Sequence, residues 1–209
     1  MPAPSKAALS KPAGGHLVLV VGPSGAGKDS LIDSARRRLA GDEGYVFPRR
    51  IITRTSDPAS EAHESVEDAE FDSLKDGGAF FLHWGAHSLR YALPASIAGH
   101  LAAGATVIAN VSRAVIAEAL DKHPKTTVVL VTAPQAVLEE RLLARGREDL
   151  AAVRRRLSRT AVLPAGIRAV TIVNGGSLEK AVGQFLDAVS QPHGDGADAA
   201  AVPAPYATE

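Results

Sequence analysis

The chain has 209 residues, of which 45% are hydrophobic, so it is long enough for one well-buried domain and too short for two ordinary ones. Its 23 basic and 23 acidic residues cancel, so no overall charge attracts nucleic acid or an anionic membrane, and we expect neither as a partner. The lack of cysteine excludes disulfides, thiolate metal sites and thiol catalysis, and it agrees with a cytoplasmic location. No apolar run approaches the ~20 residues that a membrane-spanning helix needs.

The two ends of the chain differ in composition from the rest. Residues 1–15 are rich in Pro, Ala, Ser and Lys, and residues 191–209 are rich in Ala, Pro, Gly and Asp. Segments of this composition bury too little apolar surface to offset the entropy of folding. We therefore expect two disordered tails around a single domain at residues 16–190.

Between these tails, short β-branched runs alternate with helical stretches. This pattern is typical of a parallel sheet with helices on both faces, so the predicted fold class is α/β. The predicted core strands are His16–Val21, Thr106–Asn110, Thr126–Thr132 and Ala169–Val173. The helices that follow them are predicted at Asp29–Leu39, Arg113–Leu120, Pro134–Ala144 and Leu178–Val189.

Two segments interrupt this alternation. Residues 45–94 contain shorter predicted strands near Phe47–Thr53, Phe80–Trp84 and Ser88–Leu93, with a helix near Val66–Lys75. This pattern predicts an inserted subdomain with a more antiparallel sheet. Residues 145–160 concentrate arginine at positions 145, 147, 154, 155, 156 and 159. That density of positive charge suits a mobile lid over phosphate groups.

The run Gly22-Pro-Ser-Gly-Ala-Gly-Lys-Asp-Ser30 follows the first predicted strand and opens the first predicted helix. This strand–loop–helix context makes the run a specific P-loop signal. Its glycines let successive backbone N–H groups point at phosphate oxygens, and the helix N-terminus adds partial positive charge. Lys28 is expected to bridge the outer phosphates of ATP. The loop residues expected to bind ATP are Gly22, Pro23, Ser24, Gly25, Ala26, Gly27, Lys28, Asp29 and Ser30.

One position of this loop departs from the usual pattern. Ser or Thr normally follows the lysine and its hydroxyl holds Mg²⁺, whereas here Asp29 follows and Ser30 comes next. A carboxylate is a good ligand for Mg²⁺, so one interpretation is that Asp29 replaces the hydroxyl, directly or through water. In the other interpretation Asp29 only stabilises the first helical turn, and Ser30 or water serves the metal.

The loop, Thr53-Arg54 and the run Arg141-Leu-Leu-Ala-Arg-Gly-Arg-Glu148 together resemble the guanylate kinase superfamily, from about residue 16 to residue 190. Guanylate kinases read the base of GMP with a set of residues that is mostly missing here. His83 stands in place of the guanine-reading glutamate, and only Arg54 and Tyr91 of the set are retained. Losing the base-reading groups while keeping the phosphate-binding ones predicts a phosphorylated acceptor without that base.

Within this superfamily the chain resembles the ribose 1,5-bisphosphate phosphokinases of phosphonate degradation. The matching runs are Gly27-Lys-Asp-Ser30, Ile52-Thr-Arg54, Ser60-Glu-Ala-His63, His83-Trp84, Leu89-Arg-Tyr91 and Asn110-Val-Ser-Arg113. The resemblance implies a kinase that uses ATP and Mg²⁺ to convert ribose 1,5-bisphosphate to 5-phosphoribosyl 1-diphosphate (PRPP). The attacking group would be a phosphate oxygen that is already ionised, so catalysis would rest on positioning and charge neutralisation.

The resemblance also implies a set of acceptor-binding residues. Arg54 is the first choice for an acceptor phosphate, because its planar guanidinium can bind two oxygens. Asn110 and Arg113 follow a central strand, at the sheet edge where ligands of α/β proteins bind. The segment at 60–63 is either part of the sugar site or a solvated loop. The full set is Arg54, Glu61, His63, His83, Tyr91, Asn110 and Arg113.

Three rings on predicted strands, His83, Trp84 and Tyr91, are candidates for a wall against the sugar. Aromatic residues at strand spacing more often belong to the core, and we favour the core for Trp84 and the site for Tyr91.

Further roles are implied for residues around ATP. Arg145 and Arg156 of the lid match arginines that close on the transferring phosphate, which makes them, with Lys28, the expected catalytic residues. Arg141 matches an arginine near adenine. Asn174 is either an adenine contact or part of an Asn-Gly-Gly turn.

Two alternative functions stay open. One is a nucleoside monophosphate kinase for GMP or another base, and the other is a catalytically inactive, guanylate kinase-like interaction module. Lys28 and the arginine-rich segment argue against the second, because a binding scaffold does not need a phosphate clamp. The expected partners are therefore small molecules, ATP and a sugar bisphosphate, and a homodimer stays open.

Overall fold

The computed structural model describes residues 14–54, 63–86, 88–144, 157 and 163–190. The predictions on the two tails fall outside these residues, apart from positions 14 and 15. Those on the lid also fall outside, apart from position 157.

A five-stranded parallel sheet forms the centre of the fold. Its strands are β1 (His16–Val21), β2 (Tyr45–Val46), β7 (Thr106–Asn110), β8 (Thr126–Thr132) and β9 (Val170–Val173), in the spatial order β2-β7-β1-β8-β9. All six residues of β1 are buried, because β7 and β8 flank the strand and both faces of the sheet are covered. The four predicted core strands are confirmed, and β2 joins this sheet rather than the insertion.

Helices cover both faces of the main sheet. They are α1 (Lys28–Arg38), α3 (Ile97–Ala102), α4 (Ile116–Lys122), α5 (Gln135–Ala144) and α6 (Leu178–Ser190), with a 3-10 turn at Arg113–Val115 before α4, whereas α2 (Asp68–Asp76) packs on a second sheet. Alternate residues of β1 face opposite sides, so Val18 and Val20 pack with α1, α5 and α6, whereas Leu17 and Leu19 pack with α3 and α4. None of the described helices is both long and apolar enough to cross a bilayer.

A second, four-stranded sheet lies within residues 45–94. Its strands are β3 (Arg50–Ile52), β4 (His63–Ser65), β5 (Phe80–Ala86) and β6 (Leu89–Pro94), in the order β4-β3-β6-β5. The β3–β6 and β5–β6 pairs are antiparallel and the β3–β4 pair is parallel. The sequence did not predict β4, because its three polar or charged residues lack the apolar alternation of a strand.

The two faces of this small sheet have different neighbours. Leu82, Trp84 and Leu93 face the main core, and the 8% exposure of Trp84 confirms its predicted core position. The opposite face packs on α2 through Phe71. Arg90 of β6 donates hydrogen bonds to Asp72 and Asp68 of α2, and these bonds raise the pKa of Arg90. Its guanidinium also lies 4.6 Å from the centre of the Phe71 ring.

Phe185 of α6 is completely buried between that helix and the main sheet. We expect Phe185→Ala to lower the free energy of unfolding by about 3–5 kcal/mol, because truncation leaves a cavity in a close-packed core. Equilibrium urea denaturation measures this loss. Gln184→Ala changes the exposed neighbour on the same helix and should cost less than about 0.5 kcal/mol. Equal losses for the two variants would contradict this account of the core.

Candidate active site

Three of the predicted site residues lie at one edge of the main sheet. Gly22 directly follows β1, Asn110 ends β7 and Asn174 directly follows β9. These strands are parallel, so their carboxyl ends share an edge, and open α/β sheets bind ligands there.

The P-loop turns sharply between β1 and α1. Gly22 and Gly27 adopt φ values of 147° and 87°, a region of backbone conformation that favours glycine. A Cβ on Gly22 would lie 2.0 Å from the carbonyl oxygen of Val131, and one on Gly27 would lie 2.3 Å from Nδ2 of Asn174. The loop therefore requires glycine at both places, for its conformation and for the space around it.

Lys28 is the first residue of α1 and folds back over the loop. Its Nζ donates hydrogen bonds to the carbonyl oxygens of Gly22 and Pro23, each at 2.9 Å. The ammonium group is therefore centred above the curled backbone, where the outer phosphates of a nucleotide would lie in a P-loop.

Two side chains predicted to bind ATP, those of Asn174 and Arg141, donate hydrogen bonds to the backbone of the P-loop. Asn174 is 3% exposed, and its Nδ2 donates to the carbonyl oxygen of Ala26 at 2.9 Å. Arg141 of α5 donates to the carbonyl oxygen of Gly25 at 3.3 Å. The structure thus gives Asn174 a role in holding the loop, and its burial does not support the predicted adenine contact.

Asp29 is the exposed carboxylate at the start of α1, with 68% of its side chain accessible. Its Oδ1 accepts a hydrogen bond of 2.8 Å from Nδ2 of Asn110, and Nη2 of Arg50 lies 3.8 Å from the same oxygen. Among the described residues, no group of three or more His, Asp or Glu side chains could hold a metal. One carboxylate beside the Ser30 hydroxyl is nevertheless a donor set that fits Mg²⁺, which usually takes few protein ligands in addition to substrate phosphates.

Arg50 belongs to this site and was missed by the sequence analysis. The predicted strand Phe47–Thr53 contained it, and two adjacent arginines directly before the apolar pair Ile51-Ile52 are a signal that could have identified it. Its side chain is 22% exposed and reaches from the small sheet toward the P-loop helix. The contact therefore connects the small sheet to the nucleotide-binding edge.

The strand register decides which predicted acceptor residues share a face with Arg50. His63 is its partner in β4, so both side chains are on one face, where His63 is 7% exposed. Tyr91 pairs with Ile52 and lies on this face too, with its ring stacked on Trp84 at 5.6 Å. His63 and Tyr91 therefore lie on the face that carries Arg50.

The predicted sugar wall of His83, Trp84 and Tyr91 is wrong as a single surface. His83 adjoins Trp84 along β5 and therefore points to the opposite face, where its ring centre is 6.4 Å from that of Phe80. An acceptor role for His83 stays a prediction that this placement does not support.

Two predicted acceptor arginines have no carboxylate partner within the described part of the chain. Arg113 follows β7, is half-buried, and its burial lowers the pKa of its guanidinium below the ordinary value. Arg54 is exposed just after β3. Both are suited to an anionic ligand. The other predicted residues, Glu61, Arg145 and Arg156, lie outside the described residues.

Comparisons with known proteins identify similar sequences, although no family model matches the chain. It is 49% identical over 172 residues to the ribose 1,5-bisphosphate phosphokinase PhnN of Acidiphilium cryptum, covering 82% of this chain and 90% of the relative. It is also 50% identical over 192 residues to the bifunctional ribose 1,5-bisphosphokinase-thymidine phosphorylase of Cupriavidus pinatubonensis. That match covers 91% of this chain but 31% of the relative, so the chain spans about a third of the bifunctional protein.

Among solved structures, the guanylate kinase from Anaplasma phagocytophilum is similar in fold. The TM-score is 0.61 and the sequence identity 15%, over 84% of this chain and 85% of the other. This likeness confirms the predicted α/β fold, with a parallel sheet flanked by helices.

Substitution of Asn174 can distinguish a role in holding the P-loop from recognition of the adenine base. We expect Asn174→Ala to weaken ATP and GTP binding by a similar factor of about ten, because it frees the carbonyl of Ala26 and loosens the loop. Calorimetric titration with each nucleotide measures both affinities. Ser177→Ala, at an exposed position nearby, should leave them unchanged. A selective loss of ATP binding would instead show that Asn174 reads adenine.

Proposed function

Since this chain belongs to the family of ribose 1,5-bisphosphate phosphokinases, we propose that it transfers the terminal phosphate of ATP to ribose 1,5-bisphosphate, forming ADP and PRPP. The observation that carries this proposal is a P-loop with Lys28 centred over it, in a chain 44–49% identical to relatives of that name. Those relatives are matched over 90% of their own length, so the similarity includes both the loop and the small sheet.

The ATP side of the site rests on the P-loop. Its backbone N–H groups and the N-terminus of α1 bind phosphate oxygens, and Lys28 leaves the loop carbonyls to contact the outer phosphates. Arg141 and Asn174 hold the loop in the shape that this binding requires, since each anchors a loop carbonyl.

The reaction at the acceptor is a phosphoryl transfer between two anions. An oxygen of the phosphate on C1 attacks the terminal phosphorus of ATP, the bond to the bridging oxygen breaks, and ADP leaves with those electrons. The attacking oxygen carries no proton at neutral pH, so no general base is needed. The task of the protein is to bring the two anions together and neutralise their charge.

Cationic side chains supply this neutralisation. Arg113 and Arg54 are the described candidates on the acceptor side, because each has no carboxylate partner in the described part of the chain. Arg145 and Arg156 are assigned to the transferring phosphate by the resemblance alone. His63 and Tyr91 lie on the small-sheet face that carries Arg50, and acceptor contacts for them rest on the resemblance.

Magnesium is the metal that fits this site. Asp29 and Ser30 would hold it, and Asn110 would orient the Asp29 carboxylate through its hydrogen bond. When bound, Mg²⁺ supplies positive charge to the outer phosphates of ATP. We place the reaction in the cytoplasm, where ATP is available, and in phosphonate catabolism, in keeping with the name PhnN of the relatives.

A coupled assay for ADP release tests the function, with ribose 1,5-bisphosphate, GMP and AMP in separate reactions containing ATP and Mg²⁺. We expect turnover with the sugar bisphosphate alone, matched by formation of PRPP. Lys28→Met should lower kcat by roughly 10²–10³-fold, because it removes charge from the transferring group. Lys75→Met, at an exposed position of α2, serves as the control. Turnover with GMP in place of the sugar would refute the proposed acceptor.

The metal site has its own test. We expect Asp29→Asn to raise the Mg²⁺ concentration for half-maximal activity by roughly tenfold, since an amide is a much weaker ligand than a carboxylate. Ser30→Ala should have a smaller effect if Asp29 is the principal ligand. Initial rates over a Mg²⁺ series measure both. A larger effect of Ser30→Ala would support the alternative in which Asp29 only stabilises the helix.

A further inference from the structure

Arg50 is a mostly buried cation whose hydrogen-bonding capacity is unused in the described part of the chain. Its side chain is 22% exposed, and its described ionic partner is Asp29 at 3.8 Å. That distance is too long for a hydrogen bond, and no other described residue accepts one from the guanidinium. Its N–H donors therefore have no acceptor among the described residues, and at the edge of the candidate site they are available to an anionic ligand.

The position of Arg50 indicates which part of the reaction it serves. Asp29 follows Lys28 directly, so a guanidinium 3.8 Å from Asp29 lies beside the phosphate-binding end of the P-loop. Reacting atoms in a phosphoryl transfer must approach to about 3–3.5 Å before they react. A cation at this place can therefore contact the attacking phosphate, and a short movement of a flexible side chain is sufficient.

The small sheet supplies two arginines for an acceptor with two phosphates. Arg50 begins β3 and Arg54 follows its end, so the strand separates two guanidinium groups. His63 and Tyr91 lie on the same face of the small sheet as Arg50.

We propose that Arg50 binds the phosphate on C1 of the acceptor, the group that attacks ATP. This assignment rests on the proposed function. It makes Arg50 a specificity-determining residue, because an acceptor without the C1 phosphate loses the charge-assisted hydrogen bonds that the guanidinium would make.

A pair of ligands that differ by one phosphate tests the assignment. Calorimetry with saturating ADP and Mg²⁺, where no transfer can occur, gives Kd for ribose 1,5-bisphosphate and for ribose 5-phosphate. Arg50→Met should weaken binding of the bisphosphate by roughly 10–100-fold and change that of ribose 5-phosphate by less than about threefold. Arg36→Met, on the exposed face of α1, should change neither.

Several outcomes would overturn the proposal. Arg50→Met would do so if it weakened both ligands equally, weakened ribose 5-phosphate more, or left bisphosphate binding unchanged. Thermal denaturation checks that each variant is folded, and Arg50→Gln replaces Arg50→Met if the latter is not. A wild-type protein that neither turns over nor binds the bisphosphate contradicts the proposed function itself. Normal wild-type turnover with unaltered Arg50→Met binding contradicts this inference alone.

Discussion

The hydrogen bond from Asn174 to the carbonyl of Ala26 is the contact on which the nucleotide end of the structure depends. It is buried and joins residues 148 positions apart, so it ties the loop after β9 to the P-loop after β1. A planar trans peptide directs its C=O and N–H to opposite sides. Holding the carbonyls of Ala26 and Gly25 on the side of Asn174 and Arg141 therefore leaves the neighbouring N–H groups on the side where phosphates bind. A loop held in this way would lose less entropy on binding a phosphate than a flexible loop.

Asp29 is the second point of connection, and it joins three parts of the molecule. It starts α1, accepts a hydrogen bond from Asn110 at the end of β7, and lies 3.8 Å from Arg50 of the small sheet. In a kinase the metal, the donor and the acceptor must meet at one place, and here a single carboxylate is near the groups proposed for all three. Coulomb attraction at such a partly exposed pair is modest. Asp29 can therefore exchange Arg50 for another partner without a large loss of stability.

Three strands of the main sheet were predictable with their bounds, because each is a mostly apolar run that is buried on both faces. His16–Val21, Thr106–Asn110 and Thr126–Thr132 have the predicted bounds. The small sheet was harder to predict, because its short strands mix polar and apolar residues according to the face they cover. Tyr45–Val46 has two residues, and only its pairing with β7 makes it part of the main sheet. Helix α3 has six residues and lacks the long periodic pattern that identifies a helix.

The sequence by itself determined the α/β fold and the P-loop, because apolar periodicity and a glycine-rich run before a lysine are local properties of the chain. It also supplied most of the polar residues at the site, through a resemblance carried by short runs. Only the tertiary structure decided which of them meet. The alternation of side chains along β5 and β6 placed His83 and Tyr91 on opposite faces, and the crossing of the small sheet toward the P-loop brought Arg50 to Asp29. Asn174 became a loop anchor for the same reason: contacts between residues far apart in the chain depend on strand order and register, which no local pattern contains.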